Sequence, residues 1–230
     1  MRSNEAPRSW IDRRDMREPP LDYAAMHRNE ALQQKIRQCL IVVSFDPGET
    51  TGWSVMETRI DKLLNNDLTI GETVTDWWHG QIDCGATMGN AGDTGTTSRR
   101  DLGVSDEGEG MGAAIMEQLV GEQFARSPAV AVVLEDFILR TQSKKRDAIS
   151  PVRVISRFDQ LMWERRIETF RSQPSEKVAV NDDRLKRWGF YEGGHADRHA
   201  RDADRHNILF LKKIRQSRAR LHRAFPALAL

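Results

Sequence analysis

Four residues of this chain have the types and placement to do hydrolytic chemistry together: Asp46, Glu135, His199 and Asp202. Hard carboxylate oxygens with an imidazole, leaving several positions to water and phosphate, suit Mg²⁺ or Mn²⁺. Two such ions in one site could activate a water and stabilise the leaving oxygen of an in-line phosphodiester displacement, with no covalent nucleophile. Each residue alone has a plainer explanation. Asp46-Pro47-Gly48 is also an ordinary hairpin turn, and a single His or Asp at a helix start is commonly a cap or a surface group. The combination is harder to dismiss than any member of it.

The elements that would position these groups follow from apolar patterning. Leu40 to Met56 reads as a buried strand, a tight turn at Pro47-Gly48 and a second strand restarting at Trp53, which leaves Asp46 at the open end of the first. Gly48 and Gly52 lack a Cβ, so the turn can adopt positive φ and let a phosphate or metal approach the backbone closely. Asp76 to Ile82 alternates as a third strand of a meander. Residues 84–112 hold eight glycines among scattered acids and almost no large apolar residues, so a long mobile loop is expected there. Met111 to Arg126 has helical spacing, and Ala129 to Phe137 is an unbroken apolar run ending on Glu135 and Asp136. Helix then apolar strand is the second half of a βαβ unit, so this strand should lie parallel to the first and bring Glu135 or Asp136 to the edge that carries Asp46. Ser150-Pro151 opens a helix whose Ile155, Phe158, Leu161 and Met162 form one face, either core or a dimer seam. Residues 167–173 read as a last strand and Asp182 to Trp188 as a short helix. From Ala200 a longer helix begins, with His199 and Asp202 on one face at its start and small Ala203 letting that turn sit close to the sheet. Asp136, Asp197 and Asp204 are alternates for their neighbours, the plainer reading of each being a solvated or capping carboxylate.

At 230 residues the chain is long enough for one core, spanning 39–230, behind a polar arm at 1–38 that is partly helical or disordered. The hydrophobic content of 39% is ordinary, no apolar run approaches the roughly 20 residues that span a membrane, and the arm lacks the apolar stretch of a signal peptide, so a cytoplasmic protein is expected. Cys39 and Cys84 form no metal-binding or disulfide pattern. The net charge of +1 conceals a polarity along the chain. Residues 39–138 hold 5 Lys/Arg against 17 Asp/Glu, a charge of −12, and residues 139–230 hold 22 against 11, a charge of +11. An acidic segment containing the candidate carboxylates followed by a basic one suits a metal-dependent enzyme acting on a polyanion. Arg140, Lys144, Lys145, Arg146 and Lys177 are the candidates for backbone phosphate contacts, each of which taken alone also reads as a solvated charge.

Three motifs taken together, Asp46-Pro47-Gly48 with Thr51-Gly52-Trp53, Leu134-Glu135-Asp136-Phe137, and His199-Ala200-Arg201-Asp202-Ala203, give the sequence a resemblance to the RuvC family of Holliday junction resolvases within the RNase H-like superfamily. The resemblance covers residues 40 to about 215. It implies an α/β fold with a mixed five-stranded sheet flanked by helices, and a homodimer that makes paired symmetric nicks in branched DNA, leaving 5′-phosphate and 3′-hydroxyl ends. Carried over residue by residue, it makes Asp46, Glu135 and Asp202 the acidic ligands of Mg²⁺ or Mn²⁺, two ions per site. His199 falls at the fourth position, as a ligand or as the group that handles the proton of the attacking water. The N-terminal arm, the long glycine-rich stretch and His206, four residues beyond Asp202 on the same helix face, depart from the family pattern. The first two, with the His-Ala-Arg-Asp-Ala motif, look most like phage-encoded relatives and widen the expected substrates to flaps and forks. Sugar kinases and actin-like ATPases share Asp-x-Gly-x-Thr-x-Gly after a first strand, but need a second such domain that this chain lacks. A non-catalytic junction-binding protein is disfavoured by the complete carboxylate set.

Overall fold

The computed structural model describes residue 34 and residues 39–84, 106–137, 150–192 and 197–228. The rest of the polar arm, residues 85–105 and the basic residues Arg140, Lys144, Lys145 and Arg146 lie outside the described residues. Strand β1 (Leu40–Asp46) is buried at every position, as a central strand covered on both faces must be. It pairs antiparallel with β2 (Thr50–Thr58), which pairs antiparallel with β3 (Val74–Asp83). On its other side β1 runs parallel to β4 (Val130–Glu135), and β4 parallel to β5 (Thr169–Ser172). The order β3-β2-β1-β4-β5 gives the mixed five-stranded sheet that the resemblance implied.

Successive side chains of a strand point to opposite faces, so β1 feeds two cores. Ile41, Val43 and Phe45 pack with Val132 and Leu134 under α3 (Asp106–Arg126) and α4 (Ser150–Glu164). Phe45 meets Phe158 edge to face, ring centroids 5.2 Å apart. Leu40 and Val42 pack on the opposite face under α6 (Arg198–Arg215), through Ile208, Leu211 and Ile214. Short helices α1 (Ile60–Leu64), α2 (Ile70–Thr73), α5 (Asp182–Trp188) and α7 (Arg218–Ala224) complete that layer. Among the described residues no helix is long and apolar enough to cross a membrane.

Three readings are sharpened. Phe158, Leu161 and Met162 are buried against the sheet and Ile155 packs on the same cluster, so that face of α4 is core rather than a dimer seam. Helix α3 starts at Asp106, five residues before Met111, and takes in the last glycines of the 84–112 stretch. Those glycines serve close packing: a Cβ on Gly112 would fall 2.2 Å from Cys84 Sγ, and one on Gly110 2.9 Å from the Arg157 guanidinium. Finally, neither Gly48 nor Gly52 has a positive φ; among the described glycines only Gly189, which ends α5, does.

Gly52 instead lets α6 reach the sheet. A Cβ there would lie 1.9 Å from the His199 carbonyl oxygen and 2.7 Å from the Ala200 nitrogen. The seat of α6 is then fixed by buried polar bonds. Ser44 Oγ donates to the Ala203 carbonyl at 2.6 Å, and Asn207 Nδ2 donates to Ser54 Oγ at 2.9 Å. The fully buried Asp204 carboxylate accepts from Trp77 Nε1 and pairs with His79 Nδ1, both at 2.7 Å. Gly52→Ala is expected to destabilise the protein by about 3 kcal/mol, because two backbones rather than a flexible side chain must part. Urea unfolding measures this, and an unchanged midpoint would show that the helix start moves away without cost.

Candidate metal centre at the sheet edge

Parallel pairing of β1 and β4 sets Phe45 beside Leu134, so the next residues, Asp46 and Glu135, emerge side by side at the carboxyl ends of two central strands. Crevices beyond such ends are where open α/β sheets bind ligands. Helix α6 crosses the same edge and presents His199, Asp202 and His206, spaced i, i+3, i+7 along one face. His199 Nε2 accepts from Arg198 Nε at 3.3 Å, so its proton is on Nδ1, which donates to Asp46 Oδ2 at 2.9 Å. His206 Nε2 lies 2.5 Å from Glu135 Oε2. Asp202 is bound by Arg205, which also holds Asp182.

Lys177, a candidate phosphate contact from its sequence, lies in this structure against the carboxylates. It sits in the 3₁₀ turn Pro174–Ala179 that follows β5, and its Nζ lies 2.7 Å from Asp202 Oδ2, 3.2 Å from Glu135 Oε2 and 3.8 Å from Asp46 Oδ1. The three carboxylates thus converge on one ammonium. The cause is topological: with β5 parallel to β4, the chain leaving β5 must turn over the edge where Glu135 ends.

Burial and proximity set the protonation of this centre. Asp46 is pushed up to about 6, chiefly because burial disfavours its charge; the adjoining Glu135 adds to this, and the His199 hydrogen bond opposes it. Burial also acts to raise Glu135, but hydrogen bonds from His206 and Asp46 and the charges of His206 and Lys177 outweigh it and hold Glu135 at about 2. The two carboxyls titrate as a pair that keeps one proton, mostly on Asp46, until about pH 6. Burial would lower the Lys177 ammonium, yet the attraction of Asp46, Asp202 and Glu135 raises it.

The donor set fits divalent cations. Asp46, Glu135 and His206 each offer one ligand atom, all within 4.8 Å of one another, and Asp202 faces the same point through Lys177. Oxygen-rich donors of this kind suit Mg²⁺ or Mn²⁺. Because a carboxylate must be deprotonated to hold a cation, Mn²⁺ affinity should fall about tenfold per pH unit below about 6 and level off above it. Titrations followed by the EPR signal of free Mn²⁺ between pH 5 and 8 check this, and an affinity that ignores pH would contradict it.

Of the residues singled out from sequence, the structure gathers Asp46, Glu135, Asp202 and His199. In the sequence His206 stands out only as a departure from the family pattern, although the i, i+3, i+7 stripe signals its place at the centre. The alternates fall away. Asp136 accepts from Gln173 Nε2 at 3.3 Å, Asp197 accepts from Gln81 Nε2 at 3.3 Å, and Asp204 is spent on Trp77 and His79. No protein-family model matches the chain, and no curated protein matches its sequence. The solved structures similar to it include T. thermophilus RuvC in complex with a Holliday junction substrate, at 13% identity over 77% of this chain and 96% of that one, with a TM-score of 0.46. Another Thermus thermophilus RuvC structure aligns at 12% identity and the same coverage, with a TM-score of 0.47.

Proposed function

We propose that this protein is a metal-dependent, structure-selective DNA endonuclease that resolves four-way junctions. In this reading it acts as a cytoplasmic homodimer and makes paired symmetric nicks with 5′-phosphate and 3′-hydroxyl ends. The observation that carries the reading is the convergence of Asp46, Glu135 and Asp202 at one sheet edge beneath His199 and His206. With Mg²⁺ or Mn²⁺ bound, two per centre, the site gains the means to activate water and to neutralise charge on the scissile phosphate.

The chain's own residues orient and buffer that chemistry. Asp46 and Glu135 sit on central strands whose burial fixes their carboxylates. His199 is half-buried, with Nδ1 on Asp46, and its Nε2, which accepts from the exposed Arg198 side chain, would take the proton of an attacking water once that side chain swings aside. As the water oxygen bonds phosphorus, the bond to the 3′ oxygen breaks and that oxygen leaves with the electron pair, becoming the 3′-hydroxyl by taking a proton from solvent. Lys177, which holds the three carboxylates together, would be released by bound cations and would then be free to meet a phosphate. Arg140, Lys144, Lys145 and Arg146 follow Glu135 closely in the chain and would hold the DNA backbone over the centre without reading its sequence.

Labelled four-way junction, 5′-flap, fork and linear duplex incubated in Mg²⁺ or Mn²⁺ test the substrate. Junction cutting at symmetric positions on opposed strands, above all other substrates, is expected. Flap cutting that equals junction cutting would keep the chemistry and widen the function to general branch removal. Equal cutting of linear duplex, or none of any substrate, would overturn the proposal.

A further inference from the structure

We infer that His206 is a nitrogen ligand of this centre and that through it the site holds first-row transition ions such as Mn²⁺ in preference to Mg²⁺, an inference that rests on the metal-dependent reading above. The imidazole is fully buried, and its two nitrogens have different neighbours. Nδ1 lies 2.8 Å from Ser172 Oγ. The Ser172 hydroxyl donates its only proton to Glu176 Oε2 at 3.1 Å, so its oxygen must accept from His206, and Nδ1 carries the hydrogen. Glu176 is fixed as an acceptor by Lys213 Nζ at 2.7 Å and the Gln173 backbone N–H at 3.1 Å. Nε2, whose lone pair is directed at Glu135 Oε2 2.5 Å away, shares a proton with that carboxylate in the metal-free protein.

Two acceptors that close require a cation where they meet: a proton in the metal-free protein, a metal ion in the loaded one. An imidazole that donates its far N–H to a fixed acceptor is also how a ligating histidine is usually oriented. Nitrogen is a softer donor than carboxylate oxygen, whereas Mg²⁺ prefers oxygen and water. Replacing one oxygen donor by His206 therefore biases the centre toward transition ions. Ser172 and Glu176 act as positioning residues behind it.

The test uses the full-length protein with ¹⁵N-labelled histidine and Mn²⁺ alone, read by pulsed EPR, with Mn²⁺ and Mg²⁺ affinities measured by calorimetry. Histidine-nitrogen coupling to bound Mn²⁺ is expected in the wild type and in His199→Asn, with Mn²⁺ bound at least about tenfold more tightly than Mg²⁺. His206→Leu should abolish the coupling and bring the two affinities together. Ser172→Ala, which keeps the imidazole and removes its acceptor, should weaken Mn²⁺ about tenfold and Mg²⁺ far less. Mn²⁺ bound without nitrogen coupling in the wild type, or coupling lost in His199→Asn, would overturn the role of His206 and leave the metal centre standing. No Mn²⁺ bound at all would overturn the metal-dependent reading itself. Should His206→Leu fail to fold, the wild-type and His199→Asn spectra still decide.

Discussion

Asp46→Asn will unfold at a higher temperature than the wild type in EDTA at pH 7.5, and it will cut no DNA. The carboxyl of Asp46 is pushed up to about 6, first by burial, so holding it ionised above that pH costs folding free energy. The sign follows from linkage. The folded protein binds this proton more tightly than the unfolded chain does, so stability falls as pH rises from about 4 to 6 and stays reduced above. Asn cannot ionise, and its side-chain oxygen still accepts from His199 Nδ1. The variant should therefore gain of order 1–3 kcal/mol at pH 7.5, with the advantage fading as the pH falls toward 4. A variant less stable than the wild type at neutral pH would show that the charge of Asp46 is compensated, against the burial argument. The loss of cutting follows from losing an anionic oxygen at the point where Glu135 and Asp202 converge. Stability gained where function is lost is a common signature of a site held under electrostatic strain.

Lys177→Met will have the opposite effect on the metal-free protein. Among the described residues the ammonium is the one group that touches Asp46, Glu135 and Asp202 together, and removing it leaves three carboxylates to repel one another. Breaking a fully buried ion pair costs about 3–5 kcal/mol; because Lys177 is partly exposed, a loss of about 1–3 kcal/mol is expected after screening. Met keeps the aliphatic stem, so the loss reports charge rather than packing. Mn²⁺ or Mg²⁺ should restore the variant more than it stabilises the wild type, since binding to the folded state alone raises its stability and no internal cation now competes. Thermal unfolding with and without the metal measures the difference. An equal loss in both conditions would mean that Lys177 and the cations do not share the site.

The two predictions separate what was legible in the sequence from what was not. Asp46 and Glu135 could be found because each closes an apolar run of strand length, and helix-then-strand order forces the two strands parallel. His199 and Asp202 could be found because three residues of a helix bring them to one face. Lys177 could not, since it is one of 22 basic residues after position 138, and only the parallel placement of β5 carries its turn over the centre. His206 lay on the visible stripe, but its meaning depends on Ser172, 34 residues away on β5. Gly110 and Gly112 misled through composition: glycine loosens a free chain, and the same missing Cβ lets a helix pack against Cys84 and Arg157. Asp204 gave no sign of burial because its partners, Trp77 and His79, come from a strand more than a hundred residues earlier.

The most direct test of the central claim is cleavage of an end-labelled four-way junction by the wild type, Asp46→Asn and Glu135→Gln in Mg²⁺ and in Mn²⁺, with binding to the same junction measured in parallel. Paired symmetric nicks by the wild type, abolished in both variants while binding persists, are the predicted result. Cutting that survives either substitution would show that the carboxylates at the ends of β1 and β4 do not carry the reaction.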